Sequence, residues 1–182
     1  MRLKKIIKQL EGKFPLELAE EWDNVGLLLD STRREIKSIM LCLDITRDVV
    51  DKAVANKVDL IISHHPFIFS PLKKITTDEV NGEKILKLAR NNIAVYSMHT
   101  NIDSGIGGLN DFIIKKIGQE GKVFVISDNR CVELRKLVTG DLIDAKDKII
   151  NPLRIQKLKS AITIEELCKI IKEKLCIPNV RV

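Results

Sequence analysis

Aromatic residues are scarce in this 182-residue chain: five Phe, one Tyr and one Trp. Nucleic-acid surfaces combine a basic stripe with interleaved aromatic side chains. Here Lys and Arg (31) are mixed with Asp and Glu (25) along the whole length, so the net charge of +6 does not point to a nucleic-acid partner. Cysteine occurs four times, at Cys42, Cys131, Cys168 and Cys176, and never as Cys-x-x-Cys. That argues against a zinc knuckle or a disulfide framework and for reduced, mostly buried thiols. Long apolar runs are missing too. The longest, such as Ile39 to Leu43 and Leu60 to Ile62, fall far short of the ~20 residues a membrane span requires. Arg2, Lys4 and Lys5 are followed by further charges at Lys8, Glu11 and Lys13, so no secretory leader is expected and the expected address is the cytoplasm. With 45% hydrophobic and 31% charged residues the chain can bury a core, which excludes disorder and suggests a soluble protein of one large or two small domains.

Apolar periodicity supplies the elements. Leu3, Ile6, Ile7 and Leu10 share one helical face, closed by Gly12 and Pro15, and a short helix is expected over 16–21. Gly26 then leads into a short strand at 27–29. A strand over 36–43 is followed by Thr46 as the cap of a helix bearing Val49, Val50, Ala53 and Val54. The run 58–62 is continuous enough to be a strand covered on both faces. Another helix around Ile85, Leu86 and Ala89 and another strand over 93–96 complete a β-α-β-α-β order, which implies a mostly parallel sheet with flanking helices. The next helical face is Leu109, Phe112, Ile113 and Ile117, ended by Gly118. Beyond Gly121 the texture changes to a small α+β segment. It comprises antiparallel strands over 123–126 and 131–138, a helix opened by the capping box Thr163-x-x-Glu166, and a strand beginning at Val180. The expected domains are therefore 1–120, an α/β domain, and 121–182, a small α+β segment.

In an open parallel sheet, ligands bind beyond the carboxyl ends of the strands. That rule selects Asp44, the run Ser63-His64-His65-Pro66, and the run from Ser97 through His99 to Asp103. All three histidines of the chain fall at two of these ends. Imidazole is the commonest metal ligand near neutral pH, and a nearby carboxylate supplies counter-charge. Adjacent His64 and His65, stiffened by Pro66, point their rings in different directions and are able to serve two ions about 3.5–4 Å apart. The competing reading is histidines hydrogen-bonded to loop carbonyls, and the company of Asp103 favours the metal. Gly105, Gly107 and Gly108 fit neither phosphate-loop spacing and read as a turn into a helix. Cys42 has no neighbouring base and is not expected to act as a nucleophile. Trp22 reads as a packing residue, with Asp23 and Asn24 beside it able to support a site.

Glu21-Trp22-Asp23-Asn24-Val25-Gly26-Leu27, Leu43-Asp44-Ile45-Thr46, Asp59 through His64-His65-Pro66, and His99-Thr100-Asn101-Ile102-Asp103 with Gly107-Gly108-Leu109-Asn110-Asp111 resemble, in order and spacing, the GTP cyclohydrolase type 2 homologues. This is the Nif-three-like family with a dinuclear metal centre, and the likeness covers about the first two thirds of the chain. The resemblance implies a Nif-three-like α/β fold with pseudo-duplicated halves and a toroidal homohexamer. It also implies two divalent ions per subunit, with Zn, Fe, Mn and Co not distinguished, and His64, His65 and Asp103 as ligands. His99 is left as a proton-transfer residue or a support for the ligands.

Two departures stand out. No His follows His99, whereas the family adds a His and a Glu from a later His-x-x-x-Glu segment; the chain is therefore expected to be the family's N-terminal portion, truncated before the second half. At 151–158 Leu153 and Gln156 stand where the family has glycines around an Arg-Ile pair, so this stretch reads as an altered loop. The functional expectation is a metal-dependent hydrolase of a nucleotide-like or phosphorylated substrate. The alternative is a non-catalytic hexameric protein that binds metal or a regulatory partner.

Overall fold

The computed structural model describes residues 1–33, 35–127, 130–133 and 152–181, with 126–127 and 130–133 described as backbone only. The chain divides into two compact units, Met1–Ile102 and Asp103–Val182. The helix after the glycine turn thus groups with the antiparallel strands, although the texture of the sequence changes only at Gly121.

The first unit is α/β. Helix α1 (Leu3–Lys13) is followed by a single 3-10 turn, Leu16–Leu18, where sequence favoured a longer helix. Strands β1 (Gly26–Leu29), β2 (Ile39–Cys42), β3 (Leu60–Ser63) and β4 (Ala94–Ser97) alternate with helices α2 (Arg47–Ala55) and α3 (Val80–Arg90). The sheet order is β1-β4-β3-β2, with β2, β3 and β4 parallel and β1 antiparallel to β4. Side chains on a strand alternate between faces. Ile61 and Val95 accordingly join Val50, Ala53, Ile85 and Leu88 in one core layer, while Leu60, Ala94 and Tyr96 join Leu3, Ile6 and Phe14 in the other. Both faces of β3 and β4 are thus covered, as their unbroken hydrophobicity predicts.

Strand β2 is different. It is the sheet edge, and α1 does not cover it, so Leu41 is 75% exposed and Ile39 and Leu43 are also open. No helix among the described residues is long and apolar enough to cross a membrane.

Two positions hold the loops of this unit in place. Gly82 lies in α3, where an added Cβ would stand 2.1 Å from the Thr76 carbonyl oxygen and 2.7 Å from its nitrogen. Gly82→Ala is expected to destabilise the chain by about 1–3 kcal/mol or more, since backbone and not a flexible side chain blocks the methyl; thermal denaturation of the variant checks this.

Asp59 is 5% exposed. Its carboxylate accepts from the amides of Lys37 (2.7 Å) and Ser38 (3.0 Å) and pairs with Arg33 at 3.1 Å. Burial pushes this carboxyl up, but the two amides, Arg33 and the Ser38 hydroxyl outweigh it and hold it below the usual carboxylate range. A depressed carboxyl contributes stability that is present above its unfolded titration and lost as pH falls through the folded one. Asp59→Asn is expected to cost about 1–3 kcal/mol near neutral pH, with the gap to wild type narrowing below about pH 4. Denaturant melts across that range measure it.

In the second unit, α5 (Leu109–Ile117) ends at Gly118, which takes φ +74°. An antiparallel sheet of order β6-β5-β7 follows, built from β5 (Gly121–Ser127), β6 (Arg130–Glu133) and β7 (Arg154–Leu158), and then helix α6 (Ile164–Leu175). The expected strand over 131–138 is described only to Glu133, and its turn residues 128–129 lie outside the described residues. Strand β7 corrects the loop reading of 151–158, and Val180 and Arg181 form no strand. The capping box forms as expected: Thr163 Oγ1 accepts from the Glu166 amide at 3.1 Å, and Glu166 answers on the Thr163 amide at 3.2 Å. Thr163→Ala is expected to lower stability by about 1 kcal/mol in the same melts. Cys42 and Cys168 are half-buried and Cys176 is exposed, so the expectation of mostly buried thiols does not hold for the described cysteines. Phe112 likewise lies 59% exposed, outside the helical face assigned to it.

Candidate metal centre

The parallel ladder runs one step past the strands. The His64 amide donates to the Cys42 carbonyl (3.0 Å), that of His65 to Leu43 (2.9 Å) and that of Met98 to Ser63 (2.9 Å). Beneath this rim two buried serines tie the ends of β3 and β4 together. Ser63 Oγ donates to the His65 carbonyl at 2.8 Å, so its hydrogen is used there. The 2.8 Å contact between the two hydroxyls must then run from Ser97 to Ser63, and Ser97 accepts in turn from the Phe67 amide at 3.4 Å. The chain of donors fixes the turn at His65-Pro66-Phe67 from inside.

Above it stand the three imidazoles. Their ring centroids lie 5.1 Å apart for His64–His65, 5.1 Å for His64–His99 and 5.5 Å for His65–His99. One ring nitrogen from each falls within 4.8 Å of the others. Sequence set His99 apart from the ligands, yet the fold places its ring in the same triangle. Asp103 lies on helix α4 (Thr100–Ser104) and belongs to the second unit, where its main-chain carbonyl accepts from the Asn110 side chain at 3.2 Å.

The rings of His65 and His99 are each held by a carboxylate. His65 Nδ1 donates to Asp44 Oδ1 at 2.7 Å and His99 Nδ1 to Asp23 Oδ1 at 3.0 Å. A carboxylate only accepts, so each imidazole carries a proton on Nδ1, which in the neutral ring leaves Nε2 as the nitrogen able to ligate metal. Asp44 follows β2 directly, beside the turn after β3. Asp23 comes from much farther away in sequence. Because β1 is antiparallel to β4 and Gly26 pairs with Ser97, the segment that enters β1 lies where β4 ends. Gly26 takes φ +101°, a conformation that favours glycine, at this entry. The side chain of Asp23 is wholly buried. It also accepts from the Thr100 amide (3.1 Å) and hydroxyl (2.5 Å), and from the Asn24 amide (2.8 Å). Burial works to raise this carboxyl, but Thr100, His99 and Asn24 prevail and keep it below its ordinary value.

Trp22 is not the packing residue that sequence suggested. It is 61% exposed, with its ring edge-on to His99 at 6.1 Å and tilted against Phe69 at 6.2 Å. Cys42 keeps its thiol protonated, its pKa pushed up by burial and by Asp44.

Three imidazoles converging on one point, two of them held in the ligating tautomer, suit a divalent first-row ion such as zinc, iron, manganese or cobalt. Fold and rim together define an α/β protein with a histidine cluster able to hold metal at the carboxyl ends of its parallel strands. The whole chain, residues 1–182, matches the family model described as Duf34/NIF3 (NGG1p interacting factor 3), and it belongs to that family. It is 34% identical over 181 residues to a GTP cyclohydrolase 1 type 2 homolog of Clostridium acetobutylicum, covering all of this chain and 62% of that protein. It is 35% identical over 182 residues to the homolog of Clostridium perfringens, covering 63% of it. The chain thus spans less than two thirds of these relatives' length. Among solved structures it superposes on Staphylococcus aureus hypothetical protein SA1388 with a TM-score of 0.76 at 28% identity, covering all of this chain and 66% of that one. Reduced HcgD from Methanocaldococcus jannaschii matches with a TM-score of 0.64 at 27% identity, over 96% of this chain and 75% of that one.

Proposed function

We propose that His64, His65 and His99 hold divalent metal, two ions per subunit as in the family, and that the protein is a cytoplasmic metal-dependent hydrolase of a nucleotide-like or phosphorylated substrate. The observation that carries this reading is the triangle of imidazoles with Nδ1 of His65 and His99 locked on Asp44 and Asp23. Asp103 as a further ligand rests on the His-Thr-Asn-Ile-Asp motif alone. A bound divalent ion would supply Lewis-acid polarisation and acidification of water. The chain's own residues prepare the site: Asp23 and Asp44 hold their rings in one tautomer, and the paired serines fix the turn that presents His64 and His65. His99 is placed by Asp23 and Thr100, either to ligate or to carry a proton at Nε2.

Titration of the purified chain with zinc, manganese, iron and cobalt, followed by turnover on nucleotides and phosphoesters, tests the reading. Metal-dependent hydrolysis that His65→Ala abolishes supports it. Tight metal binding without turnover on any of these favours the second reading, a regulatory interaction protein, to which the interacting-factor description of the family gives weight.

Self-assembly, with a homohexamer as the form the family resemblance implies, draws support from the uncovered edge β2. Ile39 and Leu41 on β2 and Leu43 just after it are exposed in alternation. Contiguous apolar area of this kind marks interfaces. Leu41→Glu is expected to shift the chain to smaller species in light scattering, and an unchanged mass would remove this support.

A further inference from the structure

A cleft of about 520 Å³ opens beside the histidine cluster, with His65 in its wall and Thr46, Phe69, Pro71, Leu72 and Lys84 around it. That volume lies within the range of small-molecule sites. Two features of the cleft bear on what it could hold.

The first is a cation in no direct ion pair among the described residues, although the Asp44 carboxylate lines the same cleft. On the same pair of helices Arg47 pairs with Glu83 at 2.8 Å, Lys52 with Asp48 at 3.0 Å and Lys87 with Asp51 at 2.6 Å. Lys84, between them, has no ion pair among the described residues. Its amine donates to the Ile45 carbonyl at 2.8 Å and sits 5.4 Å from the centre of the Phe67 ring. Burial and the nearby Arg47 act against its charge, with Asp44 opposing them, and two of its three hydrogens remain to be placed. The second feature is the spending of aromatics. Of only seven in the chain, Phe69 and Trp22 stand 53% and 61% exposed, against each other and against the metal cluster. Exposed rings beside a polar site are stacking surfaces.

We infer that this cleft is a ligand subsite for a planar aromatic ring carrying an anionic group, the ring lying on Phe69 and the phosphate or carboxylate meeting Lys84. The inference deepens the proposed function and rests on it only in taking the histidine cluster as the reacting end of the site.

Trp22 is the only tryptophan in the chain and its ring lies 6.2 Å from that of Phe69, so its fluorescence reports on a ring bound there. The experiment uses the full 182-residue chain freed of metal by chelation and titrated with GMP, guanosine and inorganic phosphate, each to about 1 mM, the range of weak small-ligand sites. GMP is expected to quench Trp22 saturably and to bind about tenfold more tightly than guanosine, the worth of one charge-assisted contact. Phosphate alone should leave the fluorescence unchanged and raise the apparent Kd of GMP. Lys84→Met should bring GMP down to the level of guanosine without moving guanosine itself, and Lys84→Arg should restore the difference. Phe69→Ala should weaken both ring ligands alike.

Equal binding of GMP and guanosine by the wild type would overturn the inference. So would an equal loss of both in Lys84→Met, an unaffected Phe69→Ala, or no saturable quench by either ring ligand. A calorimetric metal titration on the same preparation separates the two readings. Metal binding without ring binding removes the subsite alone, and ring binding without metal binding removes the proposed metal centre alone.

Discussion

Asp23→Asn is expected to weaken metal binding at the histidine cluster by about 10–100-fold, the usual cost of removing a carboxylate that orients a ligating histidine. The reason is a tautomer. Asn keeps one acceptor oxygen and replaces the other with a donor. The oxygen is claimed by Thr100, whose hydroxyl and amide lie 2.5 and 3.1 Å from Asp23 Oδ2. The amide NH₂ then faces His99 Nδ1, now 3.0 Å from a carboxylate oxygen. Two donors cannot share that space, so the imidazole must move its proton to Nε2, and Nε2 can no longer ligate. Isothermal titration with zinc reads the affinity, and the ring nitrogen shifts of His99 in NMR read the tautomer. A structural loss alone would lower the melting temperature and leave the tautomer in place. Unchanged affinity together with an Nε2-protonated His99 would show that this ring is not a ligand and would leave it the proton-transfer role.

Removing Arg154 is expected to have the largest effect on stability, a loss of about 3–5 kcal/mol for Arg154→Met. The side chain is 2% exposed and meets Asp111, 9% exposed, at 2.5 Å. It also donates to the Ser104 carbonyl at 3.0 Å and the Gly105 carbonyl at 3.2 Å. Asp111 in turn accepts from the Gly107 amide at 2.6 Å, so one ion pair fastens β7, α5 and the glycine turn. Methionine fills much of the volume but leaves the buried Asp111 carboxylate without its counter-charge and the Ser104 and Gly105 carbonyls without this donor. The double replacement Arg154→Met with Asp111→Leu should recover a large part of the loss, because an apolar pair of similar size avoids the buried charge. Urea melts of the single and double variants measure both. Recovery would identify desolvated charge as the cause; equal loss in the two would point to packing instead. The result also bears on the Arg-Ile pair. Through Asp111 and the Ser104 and Gly105 carbonyls, Arg154 anchors the strand that replaces the expected loop.

Much of the candidate site was legible in the sequence because its parts are local. A run of buried residues ending in His64-His65-Pro66, and another ending in His99, place imidazoles at strand ends by the rules of the parallel sheet alone. The capping residues Thr46 and Thr163 and the stop at Gly118 are equally local, since each acts on a backbone group a few positions away. The hidden parts depend on distant pairing. Strand β7 escaped because its pattern is inverted: Arg154 and Gln156 turn inward to Asp111 and to the Gln119 carbonyl, while Ile155 is 46% exposed. Hydrophobic alternation cannot find a strand whose buried face is polar. Strand β2 forms as its apolar density predicts, but its exposure at the sheet edge was not legible, because that is set by which helix lies across it.

The chain by itself determined the β-α-β order, the two-faced burial of β3 and β4, and the arrival of three histidines on one rim, since each follows from periodicity and chain direction. Only the tertiary structure decided that on this rim the His99 ring closes a triangle with those of His64 and His65 and that Asp23, 76 residues earlier, holds its Nδ1. The antiparallel return of β1 along β4 brings those two residues together, and no local pattern encodes a pairing between segments so far apart. Trp22 was likewise placed by that return, exposed beside the metal cluster and Phe69, while its identity alone suggested the core.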